Sequence, residues 1–98
     1  MVVIEFRWEG VTPEQYDTAK ARVDWETNPN PHGLIHIAWF EDGALRCYDV
    51  WDDAQAFQEF AETRLMPNVA DLGIQTQPEV KVHSAHDTFV LERALVNA

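Results

Sequence analysis

The stretch from Leu34 to Phe60, LIHIAWFEDGALRCYDVWDDAQAFQEF, limits what this chain can fold into more than any other part of it. Ile35, Ile37 and Trp39 alternate with Leu34, His36, Ala38 and Phe40, which is the two-residue period of a strand. Glu41-Asp42-Gly43 supplies a hairpin turn, because Gly43 takes a positive φ without a Cβ clash. A return strand from Ala44 to Trp51 follows. Asp52 then offers a carboxylate cap to a helix beginning at Asp53. Strand, turn, strand and capped helix leave almost no slack between them.

The flanking segments complete the pattern. Val2, Ile4, Phe6 and Trp8 form one face of an opening strand, with Val3, Glu5 and Arg7 on the other. Thr12-Pro13-Glu14-Gln15 is a helix start, with a hydroxyl N-cap, a proline in the first turn and a glutamine three residues after the cap. That helix is expected to reach about Asp24, with Tyr16, Ala19 and Val23 inward. Asn28-Pro29-Asn30-Pro31-His32-Gly33 is a loop, and the second helix buries Phe57, Phe60, Ala61 and Leu65 until Pro67 ends it. Pro78 to His83 is the last strand, with Val80 and Val82 inward.

The order strand, helix, strand, strand, helix, strand is the α+β ferredoxin-like arrangement βαββαβ, a four-stranded antiparallel sheet with both helices on one face. The chain is one domain over residues 1–98, with 84–98 a candidate C-terminal arm, in which Phe89-Val90-Leu91 is extended or helical and Leu91, Leu95 and Val96 form a short packed helix or an arm onto a partner. Helices cover only one side of such a sheet. The hairpin offers apolar residues to both sides, so the open side calls for cover, and a second copy of the chain is the simplest cover.

Composition narrows the function by exclusion. A formal net charge of −10 argues against nucleic acid and anionic membranes as partners. Four tryptophans in 98 residues are many, and large aromatics suit an interface or the wall of a ligand cavity. The single cysteine, Cys47, forms no internal disulfide and sits within a strand, where it reads as a small buried hydrophobe in a reducing setting. MVVIEFRWEG lacks the basic start and long apolar core of a signal peptide, and no apolar run approaches membrane-spanning length, so a cytoplasmic protein is expected.

The chain also resembles a known group, the dimeric α/β-barrel proteins, which include the antibiotic-biosynthesis monooxygenases and small haem-degrading monooxygenases. The resemblance runs from Val2 to about Phe89. It is carried by GVT-x-EQYD (Gly10 to Asp17), HIAWF-ED-G (His36 to Gly43), the DVW segment ending in AF (Asp49 to Phe57), RLMP (Arg64 to Pro67) and a late AH-x-x-F (Ala85 to Phe89), and it looks closest to small actinobacterial members. It implies a homodimer whose two sheets join into one barrel, with a cleft between each sheet and its helices. It implies a cofactor-independent monooxygenase, or a cyclase or isomerase, acting on an aromatic or polyketide-like molecule. The alternative is a non-catalytic dimer that binds a small apolar ligand or serves an assembly.

Candidate site residues follow from the strand faces. Pairing Phe40 with Ala44 across a three-residue loop sets His36 opposite Tyr48 and Ala38 opposite Arg46. Ile35, Ile37, Trp39, Leu45, Cys47, Asp49 and Trp51 then share the helix-covered face. Asp49 is the exception there, a carboxylate among apolar residues that needs a partner or keeps its proton. His86 or Tyr16 is the expected partner, giving a general base able to deprotonate a phenol. His36 falls on the barrel side, in a polar cluster with Glu5, Arg7, Arg46 and Tyr48. The candidate catalytic residues are therefore Asp49, His86 and His36, with Trp39, Trp51, Tyr16, Tyr48 and Arg46 as substrate contacts. Trp8 and Trp25 fall at element ends, where they rim a cavity. His83 and His86 make a poor metal motif, so no metal and no cofactor is expected. Haem held through a histidine is the alternative that the haem-degrading relatives allow.

Overall fold

The computed structural model describes residues 1–91. Strands β1 (Val2–Glu9), β2 (Gly33–Glu41), β3 (Ala44–Trp51) and β4 (Glu79–Ser84) pair antiparallel in the order β2-β3-β1-β4. Helix α1 (Pro13–Val23) joins β1 to β2. After β3 come α2 (Ala54–Phe60), a wide π-helical turn (Ala61–Leu65) and α3 (Met66–Val69). This is the α+β ferredoxin-like fold expected from the element order. No described helix is long and apolar enough to cross a membrane.

Local chemistry accounts for most element boundaries. The Thr12 hydroxyl accepts from the Gln15 amide at 3.1 Å, and the Gln15 side chain accepts from the Thr12 amide at 3.0 Å, so two orphan donors of α1 are satisfied at once. Asp24 closes α1 in the left-handed region. The cap of α2 differs by one residue from expectation: Asp53, not Asp52, accepts from the Gln55 amide. Asp52 is instead drawn to the His32 imidazole, its Oδ1 lying 2.7 Å from Nδ1. Pro67 does not stop the second helical run either. It stands in the first turn of α3, just after the π-helical turn, where a missing amide donor is tolerated.

The hairpin sets the register of the whole sheet. Asp42 and Gly43 both have positive φ (52° and 73°), which fits a two-residue type I′ turn, and Glu41 pairs with Ala44. The three-residue loop expected from the sequence is therefore one residue too long. Because side chains alternate, the slip turns β2 over. His36, Ala38 and Phe40 share a face with Asp49, Cys47 and Leu45, while Ile37 and Trp39 stand beside Tyr48 and Arg46 on the opposite face.

The core lies between the sheet and the helices. Ile4, Phe6 and Trp8 from β1 meet Leu45, Cys47 and Trp51 from β3, with Ala19, Phe57 and Val69 above them. Phe6 and Trp51 both meet the Phe57 ring edge-on, at 5.7 and 5.5 Å between centroids. Val80 and Val82 pair with Phe6 and Ile4 and so take the expected face, but both remain exposed in a shallow depression beside α2. Phe89, Val90 and Leu91 are exposed and irregular, and Leu95 and Val96 lie outside the described residues.

Candidate functional site

A cavity of about 300 Å³ opens between the helix-covered face of the sheet and α1, α2 and the 25–33 loop. Its floor is Phe6, Trp8, Leu45, Cys47 and Trp51, and its rim includes Trp25, Pro29 and Asn30. The wall is mostly apolar. Among the described residues, the titratable groups that line it are Tyr16, Glu26, His36, Cys47 and Asp49, with neither lysine nor arginine. A site of this kind suits an uncharged, largely apolar ligand positioned by few polar groups.

Those polar groups are connected. Asp49 stands mid-strand on β3 next to Ile4 of β1 and His36 of β2, and its side chain is 14% exposed. His36 Nδ1 lies 2.7 Å from Asp49 Oδ1, and His36 Nε2 lies 2.7 Å from the Tyr16 hydroxyl. For a neutral imidazole the network fixes the tautomer. Nδ1–H donates to the carboxylate, and Nε2 accepts from the Tyr16 O–H. Asp49 thereby gains the partner a shielded carboxylate needs.

Aromatic rings hold this chain in place. Tyr16 lies nearly parallel to His36, with centroids 6.1 Å apart. It also meets Trp25 and Phe40 edge-on at 6.1 and 6.2 Å. Burial, reinforced by the nearby Cys47 and Asp49, pushes the Tyr16 phenol up to about 12. The phenol therefore stays protonated at neutral pH and serves as a donor. Burial likewise pushes the Cys47 thiol up to about 12, with Asp49 adding to the effect, so it is no nucleophile.

The sequence candidates separate into two groups. Asp49, His36, Tyr16 and Trp51 come together at the cavity. His36 is the correction: it was expected on the barrel side, and the two-residue turn brings it to Asp49 instead. His86 is exposed beyond the end of β4, and His36 takes the place expected for it beside the carboxylate. Trp39, Arg46 and Tyr48 lie together on the open face. There the Arg46 guanidinium sits 5.5 Å from the Trp39 ring centre and Trp39 lies 5.1 Å from Tyr48. Trp39 was expected on the cleft side and is moved by the same slip. Trp25 does rim the cavity, whereas Trp8 is buried in its floor. The coupling of His36 to Asp49 escaped the sequence reading, although Asp42-Gly43 carried the signal for it.

Among the described residues no group of three or more metal-ligating side chains is assembled. A haem would need a histidine nitrogen turned into the cavity. His36 is the histidine that lines it, and both its nitrogens are engaged. The donor set does not fit haem.

No family model and no curated protein matches this sequence. Solved structures do. The chain superposes on an antibiotic biosynthesis monooxygenase with TM-score 0.63 and 16% identity, over 89% of this chain and all of the other. SnoaB, a cofactor-independent oxygenase from Streptomyces nogalater, gives TM-score 0.62 at 20% identity, covering 89% of this chain and 93% of its own. A Streptomyces coelicolor monooxygenase solved with the ligand nanaomycin D gives 0.63 at 15%, covering 92% and 91%. The chain therefore has the ferredoxin-like fold of the antibiotic biosynthesis monooxygenases.

Proposed function

We propose that the protein is a cofactor-independent oxygenase that acts, as a homodimer, on an uncharged hydroxylated aromatic molecule. The observation that carries this reading is the Asp49–His36–Tyr16 chain set into an otherwise apolar cavity. A neutral imidazole oriented by a carboxylate is a general base, and the carboxylate stabilises the imidazolium that forms. Removing a phenolic or enolic proton makes the substrate an electron-rich anion able to react with dioxygen directly. The carbon that becomes the new carbonyl gives up two hydrogens and four electrons, so that one oxygen atom is retained in the product and the other leaves as water, with no external reductant. The fold shared with SnoaB supports this class of chemistry, and the lack of lysine and arginine among the described lining residues disfavours carboxylated or phosphorylated substrates.

The open sheet face supports the dimer. Ile37 and Tyr48 are 54% and 40% exposed there, beside Trp39, Val3 and Val50. Arg46 Nε is buried without a partner among the described residues, a donor that a facing copy can satisfy. Native mass spectrometry reads this directly, and a monomer at micromolar concentration removes the dimer from the proposal.

Oxygen uptake with a panel of two- and three-ring phenols and anthrones tests the chemistry. One observation favours the binding-only reading: Tyr16 occupies the acceptor nitrogen of His36, so the resting cavity holds no free base. Ligands that bind without oxygen uptake, and are recovered unchanged, decide for that alternative.

A further inference from the structure

We infer that Tyr16 is itself a catalytic residue, the group that takes the substrate's proton and hands its own to His36. The inference rests on the cavity being the site of proton abstraction. Its starting point is the occupied state of the histidine. Nδ1 donates to Asp49 and Nε2 accepts from Tyr16, so a substrate hydroxyl reaches the base either by displacing Tyr16 or through it.

The packing favours passage through it. Three rings, those of His36, Trp25 and Phe40, surround Tyr16, and its backbone belongs to α1, which is capped at both ends. Swinging the phenol aside would break three aromatic contacts and rotate a half-buried side chain toward solvent. Its hydroxyl oxygen, by contrast, keeps a second lone pair, and Tyr16 lines the cavity.

The step balances. The substrate O–H bond breaks as its proton joins the Tyr16 oxygen. The original Tyr16 proton passes to His36 Nε2. The products are a substrate anion, a neutral Tyr16 and an imidazolium paired with the Asp49 carboxylate. Burial holds the Tyr16 phenol well above its ordinary range, so it never rests as tyrosinate and always has a proton to pass on. Tyr16 thus works by exchange, and His36 is the acceptor at the end of the chain.

The test uses 2-naphthol, an uncharged phenol whose neutral and ionised forms differ in ultraviolet absorption, bound to the full-length protein without regard to turnover. Bound to the wild type, 2-naphthol is expected to ionise at a pH at least about one unit lower than in water, a tenfold gain in the anion. Tyr16→Phe keeps the ring packing and should bind 2-naphthol within about threefold of wild type, in line with loss of a single modest hydrogen bond, but without the shift. His36→Gln should lose the shift with Tyr16 in place. Equal ionisation in wild type and Tyr16→Phe overturns the relay, and so does an unshifted wild type. If Tyr16→Phe folds poorly, 3,5-difluorotyrosine at position 16 makes the relay phenol more acidic without removing it. A moved ionisation profile then supports the relay and an unmoved one overturns it. Oxygen uptake separates the two proposals: a wild type that ionises 2-naphthol but consumes no oxygen with any phenol keeps the relay and loses the oxygenase.

Discussion

The two faces of the sheet are built from similar residues and arranged for different ends. The covered face sets one carboxylate, one histidine and one tyrosine among Phe6, Trp8, Cys47 and Trp51, and links the three in a single file of hydrogen bonds. The open face carries charge and aromatic rings too, but Arg46 lies against Trp39 and reaches Glu41 at 2.9 Å, and Arg7 reaches Glu9 at 2.8 Å. Its pairs are short and are not joined to one another. On the proposed function, polar groups serve a reaction where each is held by the next and water is kept away, and the same groups spread over a surface serve recognition.

The sharpest way to break this contrast is to damage each face and read the other's function. Asp49→Asn preserves shape but no longer holds the Nδ1–H tautomer or stabilises the imidazolium. It should fold, keep its oligomeric state and lose about 10²- to 10⁴-fold in kcat on any phenol the wild type oxidises. Steady-state oxygen uptake checks this, and a variant with undiminished turnover removes the dyad from the chemistry.

Ile37→Lys does the converse. It puts a charge at the most exposed large apolar side chain of the open face without touching the cavity. A buried unpaired ammonium costs several kcal/mol, so a dimer formed through this face should weaken at least about 100-fold. Sedimentation at several concentrations measures it. Should the dimer persist undisturbed, the open face is not the interface.

Which face a residue joins was only partly legible in the sequence. β1 and β3 were read correctly, because Ile4, Phe6 and Trp8 are plainly apolar against Val3, Glu5 and Arg7. α1 was legible from its cap, since Thr12 and Gln15 serve each other within four residues. β2 has no such asymmetry. Leu34, Ala38 and Phe40 are as apolar as Ile35, Ile37 and Trp39, so only the turn length decides, and counting Glu41 as loop put His36 on the wrong side. The site was lost by the same step, since nothing in the composition of β2 ties His36 to Asp49. Asp42-Gly43 read alone as a type I′ pair would have recovered both. The pairing of Asp52 with His32 was beyond reach, because it joins a loop to a helix start through tertiary packing.

The covered face should also reveal itself to alkali. Cys47 and Tyr16 keep their protons to about 12 in the folded chain, against about 9 and 10 when unfolded. Between those values the unfolded chain releases protons that the folded chain retains. Stability is therefore full below about pH 9 and falls as pH rises toward 12. Urea midpoints from pH 8 to 11 should decline, and a flat profile would mean that these groups are more open to water than their packing implies. The size of the fall is modest for Tyr16, whose half-exposed ring is partly screened by solvent.

The smallest effect belongs to the residue that both faces depend on. Gly43 stands at φ 73°, and a Cβ built there meets nothing within 4 Å, so Gly43→Ala introduces left-handed backbone strain and no clash. It should cost about 1 kcal/mol of stability, seen as a lower urea midpoint with an unchanged slope. In the fraction that remains folded, kcat and the dimer constant should both match wild type, because the turn touches neither the cavity nor the open face and acts only by fixing register. A Gly43→Ala protein that lost turnover or dimerisation out of proportion to stability would mean that the strands had slipped. His36 would then lie beside Tyr48 instead of Asp49, and the division of labour between the faces would be shown to hang on a single turn.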